Sequence, residues 1–445
     1  MTPTPHRSKL HRWSSAPIAI SLIAASLLIP GATAAAEPTD MVLEWNINAV
    51  GTISNPTSTT PPAAPPNPPG LGQPPPLAPI HLAMVHGAIY DAVQAIVDTH
   101  EPYLGGLNAP ATASQAAAVA AAGYGVLDGL AGTNTVVKDS LLSLYGISLA
   151  KIPNGDAKTA GIAVGAAAAA AMLSERSNDG RFGTYAFPVP TVPGPGDWRP
   201  IPNPGGPNAF GWVSLVTPFT LDRPDQYRIG APYPLTSAEY AAEFNEVKSI
   251  GGSTSVRTPE QAAVAAWASV NPFSMVNRGL REIAVAKGLS TSEQARLFVM
   301  TSMSTADALI ACWENKDHWL FWRPQTAIQL AATDGNPATV ADPAWTSLAA
   351  NPGYPDPPSG FNCLVSGTMN AAREYFRTNY MRFSLTSVGA TPVTRQYSQF
   401  SGAIKDAIDG RVYIGIHFRR ADVQGAWLGN KVAHWAAMQY FQPVD

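Results

Sequence analysis

The chain has 445 residues, of which 13% are charged, and its net charge is −3. That length accommodates one large or two medium domains with a substantial core. The near-neutral balance, with no run of like charge, excludes the basic excess that nucleic-acid binding requires.

Residues 1–36 read as a secretory leader. His6, Arg7, Lys9, His11 and Arg12 form a positive start, residues 17–30 an apolar stretch, and Ala34-Ala35-Ala36 a small-residue cleavage site before Glu37. The competing reading is an N-terminal membrane anchor. The short apolar run and its alanine-rich exit favour cleavage, which removes Arg7, Lys9 and Arg12 and no acid, taking the net charge from −3 to −6. The expectation is an exported, extracytoplasmic protein with no membrane association after cleavage. The Ala/Gly-rich run 159–172 falls short of the ~20 strongly apolar positions of a membrane span.

Residues 37–79 read as an N-terminal arm or linker. A short apolar segment around Trp45 precedes residues 56–79, which carry eleven prolines. Residues 80–445 read as one helical domain, with an N-terminal bundle at about 80–180, a proline-rich strap at about 181–235 and a C-terminal bundle at about 236–445. Leu82, Val85, Ile89, Val93 and Ile96 give His81–Val97 helical spacing. Helices are predicted over 113–130, 134–145 and 156–175, with alanine-rich faces that imply close packing. In the strap, prolines 188, 190, 193, 195, 200, 202 and 204 break the pattern. So long an irregular segment in a compact domain is a functional or covering loop.

Helices resume at Ser237–Ile250, at Thr258-Pro259 with proline at the first helical position, and at 275–287. Ser290-Thr291-Ser292-Glu293 is a capping box leading into a long helix towards Trp319. Further helices are predicted near 363–377, 394–408 and 420–440. No sustained strand alternation or internal repeat stands out, so the fold class is mainly α, in helical bundles.

Three stretches stand apart from this pattern. In Asn315–Pro324, Lys316 and Arg323 lie seven residues apart among aromatics. On one helix they share a face, ~10 Å apart along the axis, with the helix ending before Pro324 and Arg323 projecting from its last turn. Two cations beside an aromatic wall suit an anion; solvated side chains of an amphipathic helix are the alternative. In Tyr354–Asn362, Ser359 and Gly360 open a helix after a proline-rich turn, either an anion cradle or an ordinary N-cap. In Gly410–Asp422, Gly415 lets His417 begin a new helix with Arg411 brought round by the turn. The alternative for His417 is a core histidine bonded to a backbone carbonyl. Cys312 and Cys363 adjoin two of these stretches, as a disulfide or as two buried thiols. No zinc-type ligand spacing exists.

The order Lys316-x6-Arg323-Pro324, then Pro358-Ser359-Gly360, then Arg411-x5-His417 resembles the signature of the vanadium-dependent haloperoxidase and type 2 phosphatidic-acid phosphatase superfamily. Phe321-Trp322-Arg323-Pro324 and Gly415-Ile416-His417-Phe418-Arg419 look like its exported bacterial haloperoxidase-like branch. The resemblance implies a helical bundle holding vanadate, with phosphate as an alternative occupant of the same site. His417 would be the metal-binding nitrogen. Lys316, Arg323 and Arg411 would neutralise the oxygens, and Ser359 and the Gly360 N–H would donate hydrogen bonds.

Three functions follow. The first is a peroxidase oxidising halide or an organic substrate with hydrogen peroxide, in which Lys316 polarises the peroxide. The second is an exported phosphatase acting on a phosphate ester with His417 as nucleophile. The third is a non-catalytic oxyanion-binding protein. The small-molecule partners are thus halide, peroxide or phosphate ester; the oligomeric state stays open. The chain departs from the pattern at Phe361, where the family carries an acid–base histidine. His318 is the conceivable substitute, although it points ~160° from Lys316 on a regular helix. Gly410 stands where serine is common, and Asp422 is five residues after His417 where four is common. Asp307 pairs either with a site cation or with a polar group elsewhere.

Overall fold

The computed structural model describes residues 40–444 except 57–68, 202–207, 209 and 389–390. The predicted leader and much of the proline run therefore lie outside the described residues. The thirteen α-helices are α1 Met41–Ser54, α2 Ala78–Val97, α3 Gln115–Ala131, α4 Thr135–Ala150, α5 Asp156–Glu175, α6 Ala238–Ile250, α7 Pro259–Ala268, α8 Phe273–Lys287, α9 Thr291–Trp319, α10 Pro324–Gln329, α11 Gly360–Phe376, α12 Phe400–Tyr413 and α13 Arg419–Gln439. The described residues also form one antiparallel hairpin, β1 Tyr380–Thr386 with β2 Thr394–Gln399, and two short 3-10 turns, Gly211–Leu215 and Ala331–Thr333. The mainly α expectation holds.

Local chemistry accounts for most helix starts. Ser290 and Glu293 form the capping box of α9, Thr258 and Gln261 form another ahead of Pro259 in α7, and Ser114 and Asn134 cap α3 and α4. Small residues set the N-terminal packing. A Cβ on Gly165 of α5 would fall 2.3 Å from the Ala118 carbonyl of α3, so these two helices meet backbone to backbone. Gly429 of α13 meets α11 in the same way, 2.6 Å from the Gly367 nitrogen by the same measure.

The segment around Trp45 is a core helix. Trp45 in α1 is fully buried beside Gly123, and residues 71–73 hydrogen-bond back to its last turn at Thr52, Ile53 and Asn55. Burial of such a side chain contributes roughly 2–3 kcal/mol. One large apolar core runs from α1 to α13. A second, smaller core gathers Tyr240, Phe244, Trp322, Ile328, Trp345 and Phe418 where α6, α10 and the start of α13 meet. Neighbours of the candidate residues belong to both, Trp313 and Phe361 to the first and Trp322, Val412 and Phe418 to the second.

Helix α9 is the central element and it fixes the strap. Buried Asp307 accepts hydrogen bonds from the Phe219, Thr220 and Leu221 backbone N–H groups and from the Thr220 hydroxyl, at 2.6–3.2 Å. Two turns on, Glu314 takes both arms of Arg228, and Asn315 exchanges bonds with Ile229 and Tyr227. Asp307 thus pairs with the strap and not with a site cation.

Several boundaries differ from expectation. Residues 394–399 are strand, and the helix predicted there starts only at Phe400. The partner strand buries Met381, Phe383 and Leu385 on one face, a short period-2 pattern interrupted by polar residues. Helix α9 ends at Trp319, where Leu320 turns left-handed at φ 43°, so Arg323 does not sit on its last turn. Helices α2, α5 and α9 are each long and apolar enough to cross a membrane by length and composition, including the run judged too weak at 159–172. Burial inside the protein takes 89% of the α2 window and 94% of the α9 window, but 33% of α5.

Two outcomes follow. Asp307→Ala leaves three buried N–H groups without an acceptor, and is expected to cost about 3 kcal/mol or more of unfolding free energy. Limited proteolysis should then cut within the strap. His81 and His86 of α2 are both lowered to about 3, first by burial and then by Arg181 and Arg281 respectively. A histidine neutral in the fold but protonated when unfolded removes stability as pH falls below 6.5 towards 3. Denaturant melts at pH 7 and 4.5 should show His86→Gln losing about 2–3 kcal/mol less than the parent over that interval.

Candidate functional site

The three stretches converge at helix ends. Lys316 lies in the last turn of α9 and Arg411 in the last turn of α12, where the carbonyl ends of the helices favour cations. Ser359 caps α11, and His417 stands immediately before Phe418, the N-cap of α13. Gly415, at φ 79°, makes the turn that carries the chain from Arg411 to His417.

Between Lys316 and Arg323 the chain reverses at Leu320, and Phe321 bridges to Asp197 and Asp356. Arg323 is extended, at φ −90° and ψ 160°, and precedes Pro324 at the start of α10. The two cations therefore do not share a helix face. They meet at the next stretch. Lys316 Nζ donates to the Pro355 carbonyl at 2.7 Å, and Arg323 Nε donates to the Tyr354 carbonyl at 2.7 Å. Arg323 Nη1 reaches the Ile416 carbonyl at 2.8 Å, one residue before His417. Both cations also face the Tyr354 ring, at 5.2 and 5.0 Å from its centroid. One guanidinium thus ties all three stretches together.

His417 is 1% exposed and its Nδ1 is hydrogen-bonded to Asp356 Oδ1. Asp356 Oδ2 accepts from the Phe418 N–H at 3.4 Å. Burial lowers His417 to about 3 against the pull of Asp356, so the ring is neutral. Burial by itself would raise Asp356, but His417, Arg323 and Lys316 outweigh it and hold the carboxyl below its ordinary value. Asp356 is therefore an ionised acceptor. It fixes the proton on Nδ1 and leaves Nε2 with its lone pair free.

Ser359 is fully buried and faces the α13 side. Its Oγ accepts from the Asn362 N–H and side-chain amide, and it hydrogen-bonds the Asp422 carboxyl. Asp422 also accepts from Asn362 at 2.8 Å, and burial raises it well above the usual carboxylate range. Asp422 thus braces α11 against α13, and Asp356 is the acid on the histidine. Gly360 lies against the Trp313 ring, which an added Cβ would approach to 3.1 Å. Arg411 donates to the Ala268 carbonyl at 2.9 Å, and its guanidinium lies 4.8 Å over the Phe361 ring. His318 is exposed and packs edge-on against Trp319. Cys312 and Cys363 are free, buried thiols.

The electrostatic balance is uneven. Burial lowers Lys316 to about 8 and Arg411 to about 10, and both remain cationic at neutral pH, as does Arg323. Three cations face two buried acids, the ionised Asp356 and Asp422, which burial raises. Arg323 Nη2 and Arg411 Nε are buried without a hydrogen-bond partner. Unpaired guanidinium donors next to a neutral imidazole fit a multiply charged oxyanion. A tetrahedral oxyanion such as vanadate suits this donor set. The histidine would supply a nitrogen ligand to such a group, and the cations would supply charge. Among the described residues no cluster of three His, Cys, Asp or Glu side chains could hold a simple metal cation.

Asp356 and Tyr354 are the residues that sequence reasoning missed. They lie within a stretch already singled out, but the His417–Asp356 pair spans 61 residues and no local period connects them. Asp356→Asn is expected to cost about 3–5 kcal/mol, because it leaves the neighbouring buried cations uncompensated. Chemical denaturation measures the loss.

The chain is similar to known proteins in part of its sequence and in its fold. The family model described as VCPO second helical-bundle domain matches residues 296–445. The vanadium chloroperoxidase of Curvularia inaequalis is 26% identical over 170 residues, a match that covers 32% of this chain and 27% of that protein. The chain is also similar to a bacterial vanadium-dependent iodoperoxidase structure, with TM-score 0.71 and 20% identity over 91% of this chain and 97% of the other. The holo form of a bacterial vanadium-dependent chloroperoxidase gives TM-score 0.67 and 17% identity over 82% and 91%. At these identities the structural likeness speaks for the fold.

Proposed function

The chain belongs to the vanadium-dependent haloperoxidase and type 2 phosphatidic-acid phosphatase superfamily, and from that premise we propose a haloperoxidase-like protein that holds vanadate between Lys316, Arg323, Arg411 and His417. The observation that carries the reading is the incomplete pairing of the buried cations: three cations stand against two acids, Asp356 and the burial-raised Asp422, and two guanidinium nitrogens have no partner. Phosphate, with similar shape and charge, is the alternative occupant. Bound vanadate supplies Lewis-acid activation of hydrogen peroxide towards a halide or an organic substrate.

The chain's own residues divide the remaining work. Asp356 keeps the His417 proton on Nδ1, so Nε2 presents a lone pair. Arg323 and Arg411 contribute fixed charge. Of Lys316, Arg323, Arg411 and His417, it is Lys316, lowered to about 8, that is nearest to exchanging a proton at neutral pH. Phe361 transfers none. Positioned acid–base groups contribute about 10²–10⁴-fold, so binding is expected to be intact and turnover slow. We also propose export, supported by the basic start, the apolar run 17–30 and Ala34-Ala35-Ala36.

Orthovanadate should raise the thermal midpoint of the purified protein, and Arg411→Ala should lose that shift. Bromide oxidation by peroxide should require vanadate, and Phe361→His should accelerate it by about 10²–10⁴-fold. Absence of any vanadate-induced shift would reject the site. Hydrolysis of a chromogenic phosphate ester, blocked by vanadate, would instead place the chain on the phosphatase side of the superfamily.

A further inference from the structure

A pocket of about 200 Å³ opens beside the cations. Trp313, Tyr354, Phe361, Leu364 and Ile416 line it, and Arg411 is its one charged lining residue. The Phe361 ring is held in place. The Arg411 guanidinium covers it, and Trp267 meets it edge-on with ring centroids 5.9 Å apart. Trp313 and Tyr354 pack on each other, centroids 5.0 Å apart. The pocket is therefore aromatic on two sides, with a cation at its edge whose Nε is buried and unpaired.

We propose that this pocket binds a small monocyclic aromatic anion, its ring between Phe361 and the Trp313–Tyr354 pair and its charge on Arg411. The volume accommodates one ring, since a dry apolar cavity of about 150 Å³ holds benzene. The walls favour a ring over an aliphatic chain, because aromatic contacts add to simple area burial. Arg411 favours an anion, whose oxygens satisfy the buried donor that a neutral molecule leaves unpaired. In this reading Phe361, which cannot move protons, is the residue that selects the organic molecule. The inference rests on the proposed oxyanion function only for what lies alongside the ring; it deepens that function by naming the class of organic substrate.

Calorimetric titration of the full chain with benzoate, acetate and benzyl alcohol tests the proposal. Benzoate is expected to bind at least tenfold more tightly than acetate, which has the charge without the ring, and than benzyl alcohol, which has the ring without the charge. Phe361→Leu should weaken benzoate about fivefold or more and leave acetate unchanged. Leu364→Trp, which fills the pocket from another wall, should also weaken benzoate; circular dichroism and the thermal midpoint confirm that each variant is folded. Equal affinity for benzoate and either control, or unchanged benzoate affinity in both folded variants, overturns the proposal. Orthovanadate titrated into a separate, benzoate-free sample separates the two readings, because Arg411 faces both anions. Vanadate binding without benzoate selectivity leaves the oxyanion function standing and removes this inference. Benzoate selectivity without vanadate binding does the reverse.

Discussion

The site depends on one clamp, the Arg323 guanidinium bonded to the Tyr354 and Ile416 carbonyls. These carbonyls belong to two loops that are distant in sequence, and the arginine itself follows the end of α9. A buried cation is costly unless it is hydrogen-bonded and compensated. Backbone carbonyls give hydrogen bonds without neutralising the charge. The clamp therefore organises three chain segments and at the same time leaves positive charge in place for an anion. Had carboxylates taken these positions, the segments would still be tied but the site would be neutral.

Helix α9 links this site to the rest of the protein. Its side chains at Asp307, Glu314 and Asn315 fix the irregular strap, and its last turn supplies Lys316. The strap has little regular structure of its own, so its backbone donors need acceptors from elsewhere. A single buried carboxylate satisfies three consecutive N–H groups. Polar residues on an otherwise apolar helix thus have a structural role at one end and a chemical role at the other.

Phe361 separates holding an anion from transferring protons. It belongs to the same first turn of α11 as Gly360, and its ring forms pocket wall where the family carries an imidazole. The surrounding polar groups do not replace it: Ser359 and Asp422 bond each other and Asn362, and His318 lies on the surface. Charge and orientation are supplied here by groups other than the one that changed.

The helices with a long apolar period, such as α2, or a capping box, such as α9, were legible because their cause is local. So were the candidate residues Lys316, Arg323, Ser359, Arg411 and His417, through their order and spacing. The β1–β2 hairpin was less legible, since its inward Met381, Phe383 and Leu385 are only three positions of a period-2 pattern, and propensity over so few residues is weak. The role of Asp356, the release of Asp307 to the strap and the bonding of Asp422 to Ser359 and Asn362 were decided by tertiary structure alone. Each depends on which groups of opposite polarity are brought together after burial. That pairing is set by packing across tens of residues, whereas a sequence records only near neighbours.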